Sequence, residues 1–188
     1  MKTEVESREM RDEVATFNPQ RSSAVIVPAT AEHIPAIAAD LREADREELR
    51  AVGCMDPLDC MFHGLAHSEK AWTGLIDEEP VCMFGAVPAS ILGNVGRPWM
   101  VGTNRLDKHP LVFLRRCKRE GCLGEMRERF DVLTNYVDVR NTRAIEWLMW
   151  LGFDVRFEPV RIGPYKMPFL RFEMRGLNDV GYHPPNPS

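Results

Sequence analysis

Residues 132–153 leave the chain little conformational choice. Val132-Leu-Thr-Asn-Tyr-Val-Asp-Val139 is rich in β-branched and aromatic residues and reads as a strand, after which the Asn141 side chain can cap a helix. In that helix, Asn141 to Leu151, Ala144 allows close packing and Ile145 and Leu148 share one face. Gly152 ends the helix before Phe153 opens another strand. A strand, a short helix and a following strand imply an α/β arrangement, for which the rest of the chain must supply a sheet and covering helices.

The preceding residues do so. Ala24-Val-Ile-Val27 reads as a strand, and Pro28-Ala-Thr-Ala31 turns the chain into a helix carrying Ile34, Ile37, Ala38, Leu41 and Ala44 that stops near Gly53. A second helix is predicted from Pro57 to about Trp72, with Leu58, Met61, Phe62, Leu65 and Ala66 as its apolar stripe. Ala71–Asp77 and Val81–Val87 flank the acidic turn Glu78-Glu79-Pro80 as a hairpin, and Arg97–Thr103 adds a third strand. A long helix is predicted over about Pro110 to Phe130, bent or broken where Gly121 and Gly124 weaken it. Phe153–Val160 and Met167–Met174 then close the sheet. The expected fold is a single α/β domain over 23–176, a mixed central sheet flanked by helices, with a flexible arm at 1–22 and a Pro-rich tail at 177–188.

Composition bounds the function. A chain of 188 residues can bury a core without staples, and its net charge of -4 argues against nucleic acid as a partner unless a local patch exists. No apolar run approaches the roughly 20 residues of a membrane span, and the charged start Met1-Lys-Thr-Glu fits a cytoplasmic protein without a membrane partner. Five cysteines then read as reduced thiols rather than a disulfide framework. His63 and His67, at helical i, i+4 spacing beside Cys54 and Cys60, could meet as zinc ligands. The cysteine gap is not a knuckle spacing, so no metal site is expected and the histidines read as polar-face residues. Arg115, Arg116, Lys118, Arg119, Arg127 and Arg129 could face an anionic cofactor, an acidic partner or DNA, or simply water on the outer side of the long helix. Glu78 and Glu79 read as exposed turn residues, and His109, before Pro110, is the better placed titratable group. Of Trp147 and Trp150 one is expected in the core and one at the surface.

Asn141-Thr-Arg-Ala144-Ile145-Glu-Trp-Leu148-Met-Trp-Leu151-Gly152-Phe153 resembles the Asn-x-x-Ala-Ile-x-x-x-x-x-x-Gly-Phe stretch of the GNAT (GCN5-related N-acetyltransferase) superfamily, whose order of elements the chain also follows. With Asp40-Leu-Arg-Glu-Ala-Asp-Arg-Glu-Glu48 and Pro80-Val-Cys-Met-Phe-Gly85, the chain resembles the GNAT-like internal virion proteins of T7-like tailed bacteriophages. That resemblance implies a GNAT-like fold, a role in virion morphogenesis beside other phage virion or assembly proteins, and a place in the host cytoplasm during assembly or in the virion. The enzymes of the superfamily hold a cofactor pyrophosphate with an Arg/Gln-x-x-Gly-x-Gly/Ala turn, whose glycines let backbone N–H groups approach the phosphates. Here the corresponding stretch is Asn104-Arg-Leu-Asp-Lys-His-Pro-Leu-Val-Phe113, without glycine, and Leu148 stands where many of them place an acidic tyrosine. The departures imply reduced or no catalysis, no cofactor and no assignable catalytic residue. The alternative the resemblance leaves open is an acyl-CoA-dependent N-acetyltransferase acting on a host or phage amine, in which Asn141, Arg105 and His109 would face acetyl-CoA.

Overall fold

In a computed structural model, which describes residues 24–90, 94–108 and 110–177, seven strands form one sheet. They are β1 (Ala24–Pro28), β2 (Lys70–Ile76), β3 (Glu79–Pro88), β4 (Val95–Gly102), β5 (Val132–Asp138), β6 (Asp154–Ile162) and β7 (Met167–Arg175). The spatial order is β1-β2-β3-β4-β5-β7-β6, and every neighbouring pair is antiparallel except β4 with β5. The helices are α1 (Ile34–Ala39), α2 (Glu43–Ala51), α3 (Pro57–His67), α4 (Pro110–Arg119), α5 (Cys122–Arg129) and α6 (Thr142–Leu151). The mixed sheet flanked by helices is the α/β architecture expected. The arm at 1–22 and, Leu177 apart, the tail at 177–188 lie outside the described residues.

Two apolar clusters sandwich the sheet. Met83 of β3 and Val101 of β4 pack with Ile34, Ile37, Leu41 and Met61 on one side. Cys82, Phe84 and Ala86 point the other way, toward Phe113, Cys117 and Met126 of α4 and α5. β3 thus buries both faces, which is why Val81–Val87 is apolar without alternation. Beyond β4 the pattern changes. Leu133, Val137, Val155, Leu170 and Phe172 pack on the α6 side with Ile145 and Trp147, whereas Tyr136, Arg156 and Arg171 on the opposite face of β5, β6 and β7 are exposed.

The segment from Asn141 to Gly152 folds as its residues require. The Asn141 side chain accepts the Ala144 N–H and Gly152 takes the left-handed conformation, φ 99°, that ends α6. Trp147 is buried and Trp150 exposed.

Three expectations need correction. The helix predicted from Ile34 to Gly53 is two helices, because Leu41 bridges to Thr103 and the Arg42 N–H bonds the Gly102 carbonyl, pulling Asp40–Arg42 out of the helical path. The stripe of α3 is rotated: Met61 is buried, while Leu58 and Phe62 are 37% and 45% exposed. The long helix breaks where a bend or break is expected, at Gly121, φ 78°, into α4 and α5, with Gly124 inside the second. Cys54 and Cys60 form a disulfide across the turn between α2 and α3, leaving Cys82, Cys117 and Cys122 as buried thiols.

Candidate functional site

The parallel neighbours β4 and β5 pair at two positions, Val95 with Val132 and Gly96 with Leu133, and then part. Between and beside them lies a cavity of about 600 Å³ that reaches both faces of the sheet. Its walls are mostly apolar, among them Phe84, Trp99, Met100, Phe113, Trp147 and Leu148, and its polar groups include Arg42, Asp45, Glu48, His63, Asn135, Tyr136 and Asn141.

The hydrogen-bond register fixes which backbone groups face the gap. Thr103 donates to Val81, so the residues of β4 bonded to β3 are the odd-numbered ones, and Gly96, Pro98, Met100 and Gly102 point their backbone toward β5. Val139 donates to Pro168, so Thr134, Tyr136 and Asp138 of β5 point theirs toward β4.

At the C-terminal ends of the two strands, α2 spans the opening with two carboxylates one turn apart. Asp45 accepts the Gly102 N–H at 2.7 Å, and Glu48 accepts the Asp138 N–H. Asn141 Nδ2 donates to Glu48 at 3.0 Å and to Asp45 at 3.4 Å. Arg42 clasps Asp45 through Nε at 3.0 Å and Nη2 at 2.8 Å, reaches Asp107 at 3.3 Å, and stacks on the Trp147 ring at 4.9 Å. Arg42 and Asp45 are each 5% exposed, so this pair is a desolvated one and either half alone would be costly. Arg140 closes the outside, bonded to Asp138 at 2.7 Å and Glu47 at 3.0 Å.

Burial pushes Asp45 above the usual carboxylate range against the pull of Arg42. Burial also raises Glu48, to about 7, helped by the charges of Asp45 and Asp138 and opposed by its hydrogen bonds. For Asp138 burial acts upward too, but the Arg140 guanidinium and backbone N–H outweigh it and hold the group below its ordinary value.

The turn after β4 is bonded into the fold. Thr103 donates to Val81, Asn104 to Asp40, Leu106 to Thr103 and Lys108 to Arg105, so these amides are already engaged. Leu106 is fully buried, and a Cβ on Gly102 would meet its side chain at 2.8 Å. Asp107 in this turn is held by Arg42 and by Arg143 at 3.0 Å.

Of the residues expected to face acetyl-CoA, Asn141 and Arg105 are among the described ones. Asn141 is at the cleft, engaged with α2. Arg105 pairs with Asp77 at 3.0 Å and does not line the cavity. His109 lies outside the described residues. Leu148 lines the cavity. Of the basic residues on the long helix, Arg116 pairs with Glu120 and Arg129 with Glu69, while Arg127 donates to the Arg175 carbonyl. His63 and His67 stack at 4.0 Å, and the described residues contain no group of three or more potential metal ligands. Glu78 sits at the hairpin turn with φ 67° and Glu79 opens β3, both exposed. Asp45 and Glu48 went unmarked from sequence. Their spacing is that of any charged helix face, and only the fold turns them inward.

No family profile matches the chain, and no curated protein sequence matches it. Solved structures do. A ribosomal-protein-alanine N-acetyltransferase from Brucella melitensis superposes with a TM-score of 0.60 at 13% identity, covering 80% of this chain and 99% of its own. An acetyltransferase of the GNAT family from Streptococcus pneumoniae gives 0.56 at 11% identity, covering 81% and 99%. A spermidine N-acetyltransferase from Vibrio cholerae, in complex with CoA and spermine, gives 0.55 at 10% identity, covering 81% and 95%. Seven strands in one mixed sheet, parted between β4 and β5 and covered by helices, are the fold of the GNAT acetyltransferases.

Proposed function

We propose that this chain is a phage protein of GNAT-like fold that acts in virion morphogenesis by binding other virion or assembly proteins, in the host cytoplasm and in the particle, with catalysis reduced or lost. The single observation that carries the reading is the end of the β4–β5 cleft that α2 spans. The amides of Thr103, Asn104, Leu106 and Lys108 are engaged within the chain, and Asp45, Glu48 and Asp107 gather carboxylates there, which disfavours an anionic cofactor. Leu148 adds that no hydroxyl is offered at that position of α6 for protonating a leaving thiolate. The phage assignment is supported by the sequence resemblance. No helix among the described residues is long and apolar enough to cross a membrane.

A second reading has its own support. Glu48, at the cavity wall with its pKa near 7, is suited to taking a proton from an ammonium group, which an N-acetyltransferase acting on a host or phage amine requires. Calorimetry with acetyl-CoA separates the two. Weak or absent binding is the expected result; a dissociation constant in the low micromolar range, about -8 kcal/mol, with turnover of an amine would give the enzyme reading the lead. In parallel, a phage lacking this gene, complemented with the intact chain, should regain infectious particles, and the His109→Ala variant should restore them equally.

A further inference from the structure

We infer that the gap between β4 and β5 receives an extended segment of another polypeptide, inserted as a short strand with a lysine or arginine directed at Glu48. The inference rests on the scaffold reading and names what the scaffold holds.

Between the paired base of the gap and the carboxylates of α2, Met100 on β4 and Tyr136 on β5 present backbone N–H and C=O groups toward each other with no strand of the described residues between. The neighbouring positions are taken: the Pro98 carbonyl accepts Asn135 Nδ2 at 2.9 Å, Gly102 is bonded by Asp45 and Arg42, and Asp138 by Glu48 and Asn141. An inserted main chain supplies donors and acceptors on both of its edges, which is what two facing strand edges require. The cavity walls are apolar, as alternate side chains of such a strand would need.

Charge selects among extended chains. Arg42 is shared by Asp45 and Asp107, Asp107 is also held by Arg143, and Arg140 is shared by Asp138 and Glu47. Glu48 receives hydrogen bonds from two neutral amides and is flanked by Asp45 and Asp138, so among the described residues this cluster holds more carboxyl groups than cations. A cationic side chain complements it and an anionic one is repelled. Because a cation beside Glu48 favours its ionised form, binding near neutral pH should also release a proton.

The test uses the full chain and two synthetic probes, acetyl-Val-Lys-Val-Thr-Val-amide and the same peptide with Glu for Lys. Amide NMR resonances of Met100 and Tyr136 report insertion, and calorimetry in buffers of different ionisation enthalpy reports the proton. The lysine peptide should shift both resonances and bind about tenfold more tightly than the glutamate peptide, about 1.4 kcal/mol. Glu48→Gln, which keeps an acceptor for both amides, should still show the shifts but lose the preference and the proton release. The inference is overturned if neither resonance moves with the lysine peptide, or if the two peptides bind alike. Acetyl-CoA is the control on the underlying reading: if it moves the same resonances and an amine is turned over, the scaffold reading fails. Silence toward both peptides and acetyl-CoA removes this inference alone.

Discussion

The two ends of the β4–β5 cleft are held by different physics. At the base the strands pair, the Phe130 ring lies so close to Gly96 that a Cβ there would come within 2.6 Å of it, and Asp131 donates its N–H to the Asn94 carbonyl at 2.8 Å. At the other end no strand pairing among the described residues remains, and a helix reaches across with ionisable side chains, so that Gly102 and Asp138 bond to carboxylates where strand neighbours would be. The base is set by volume and the open end by charge. A single cleft should therefore respond to a methyl group at one end and to protonation at the other.

The largest effect is expected from Asp45→Ala. It leaves Arg42 buried with only Asp107 at 3.3 Å and strips the Gly102 N–H of its acceptor, for a loss of about 3 kcal/mol in urea unfolding. Amide exchange at Gly102 should accelerate by more than the global loss accounts for, since the open end is the part released. Gly96→Ala comes next, with a cost of about 2 kcal/mol as the ring of Phe130 and Leu133 are forced back. This variant should leave exchange at Gly102 in step with global stability. If both substitutions loosen Gly102 alike, the two ends are one unit and the distinction fails. Leu148→Ala should follow at about 2 kcal/mol or less, because its side chain is only partly buried and borders a cavity that already exists. An unchanged thermal midpoint for this variant would place Leu148 in solvent.

How far the sequence revealed these ends differs for the same reason. The segment from Val137 to Phe153 was legible because its determinants are local: Asn141 caps the helix it precedes and Gly152 ends the helix it follows. The run Val81–Val87 was legible because a strand buried on both faces has to be apolar throughout. The break between α1 and α2 was hidden, since Leu41 and Ala44 continue the helical period and what interrupts it is a bond to Thr103 far along the chain. The face of α3 was misjudged because Leu58 and Phe62 make as good a stripe as Met61 does. Gly64, whose Cβ would stand 3.1 Å from Trp99, marks the side that approaches the sheet, a signal visible only once Trp99 is placed. In the candidate site, Asn141, read as facing acetyl-CoA if it binds, donates to Glu48, and the two carboxylates at the open end of the cleft read as solvated charges. Burial, which makes them chemically distinctive, is a property of the tertiary structure.

The smallest effect is the most specific. Glu48 has its pKa raised from the ordinary 4.5 to about 7, first by burial and then by Asp45 and Asp138. Between those values the folded chain keeps a proton that the unfolded chain has released, so this group makes stability fall as pH rises from 4.5 to about 7, after which its contribution is constant. Asp45, also raised, acts in the same direction. Asp138, lowered by Arg140, acts oppositely: its contribution is lost as pH falls through its folded value. The raw pH profile of the protein mixes all three, whereas the difference between Glu48→Gln and the parent isolates one. Gln keeps an oxygen for the Asp138 and Asn141 donors without carrying charge. Urea unfolding at a series of pH values should give a stability difference that is nearly constant below pH 4.5 and shifts in favour of the variant up to about pH 7, then levels. A difference that stays flat across the range would mean that Glu48 is as well solvated in the fold as out of it. The open end of the cleft would then be held by geometry alone, like the base.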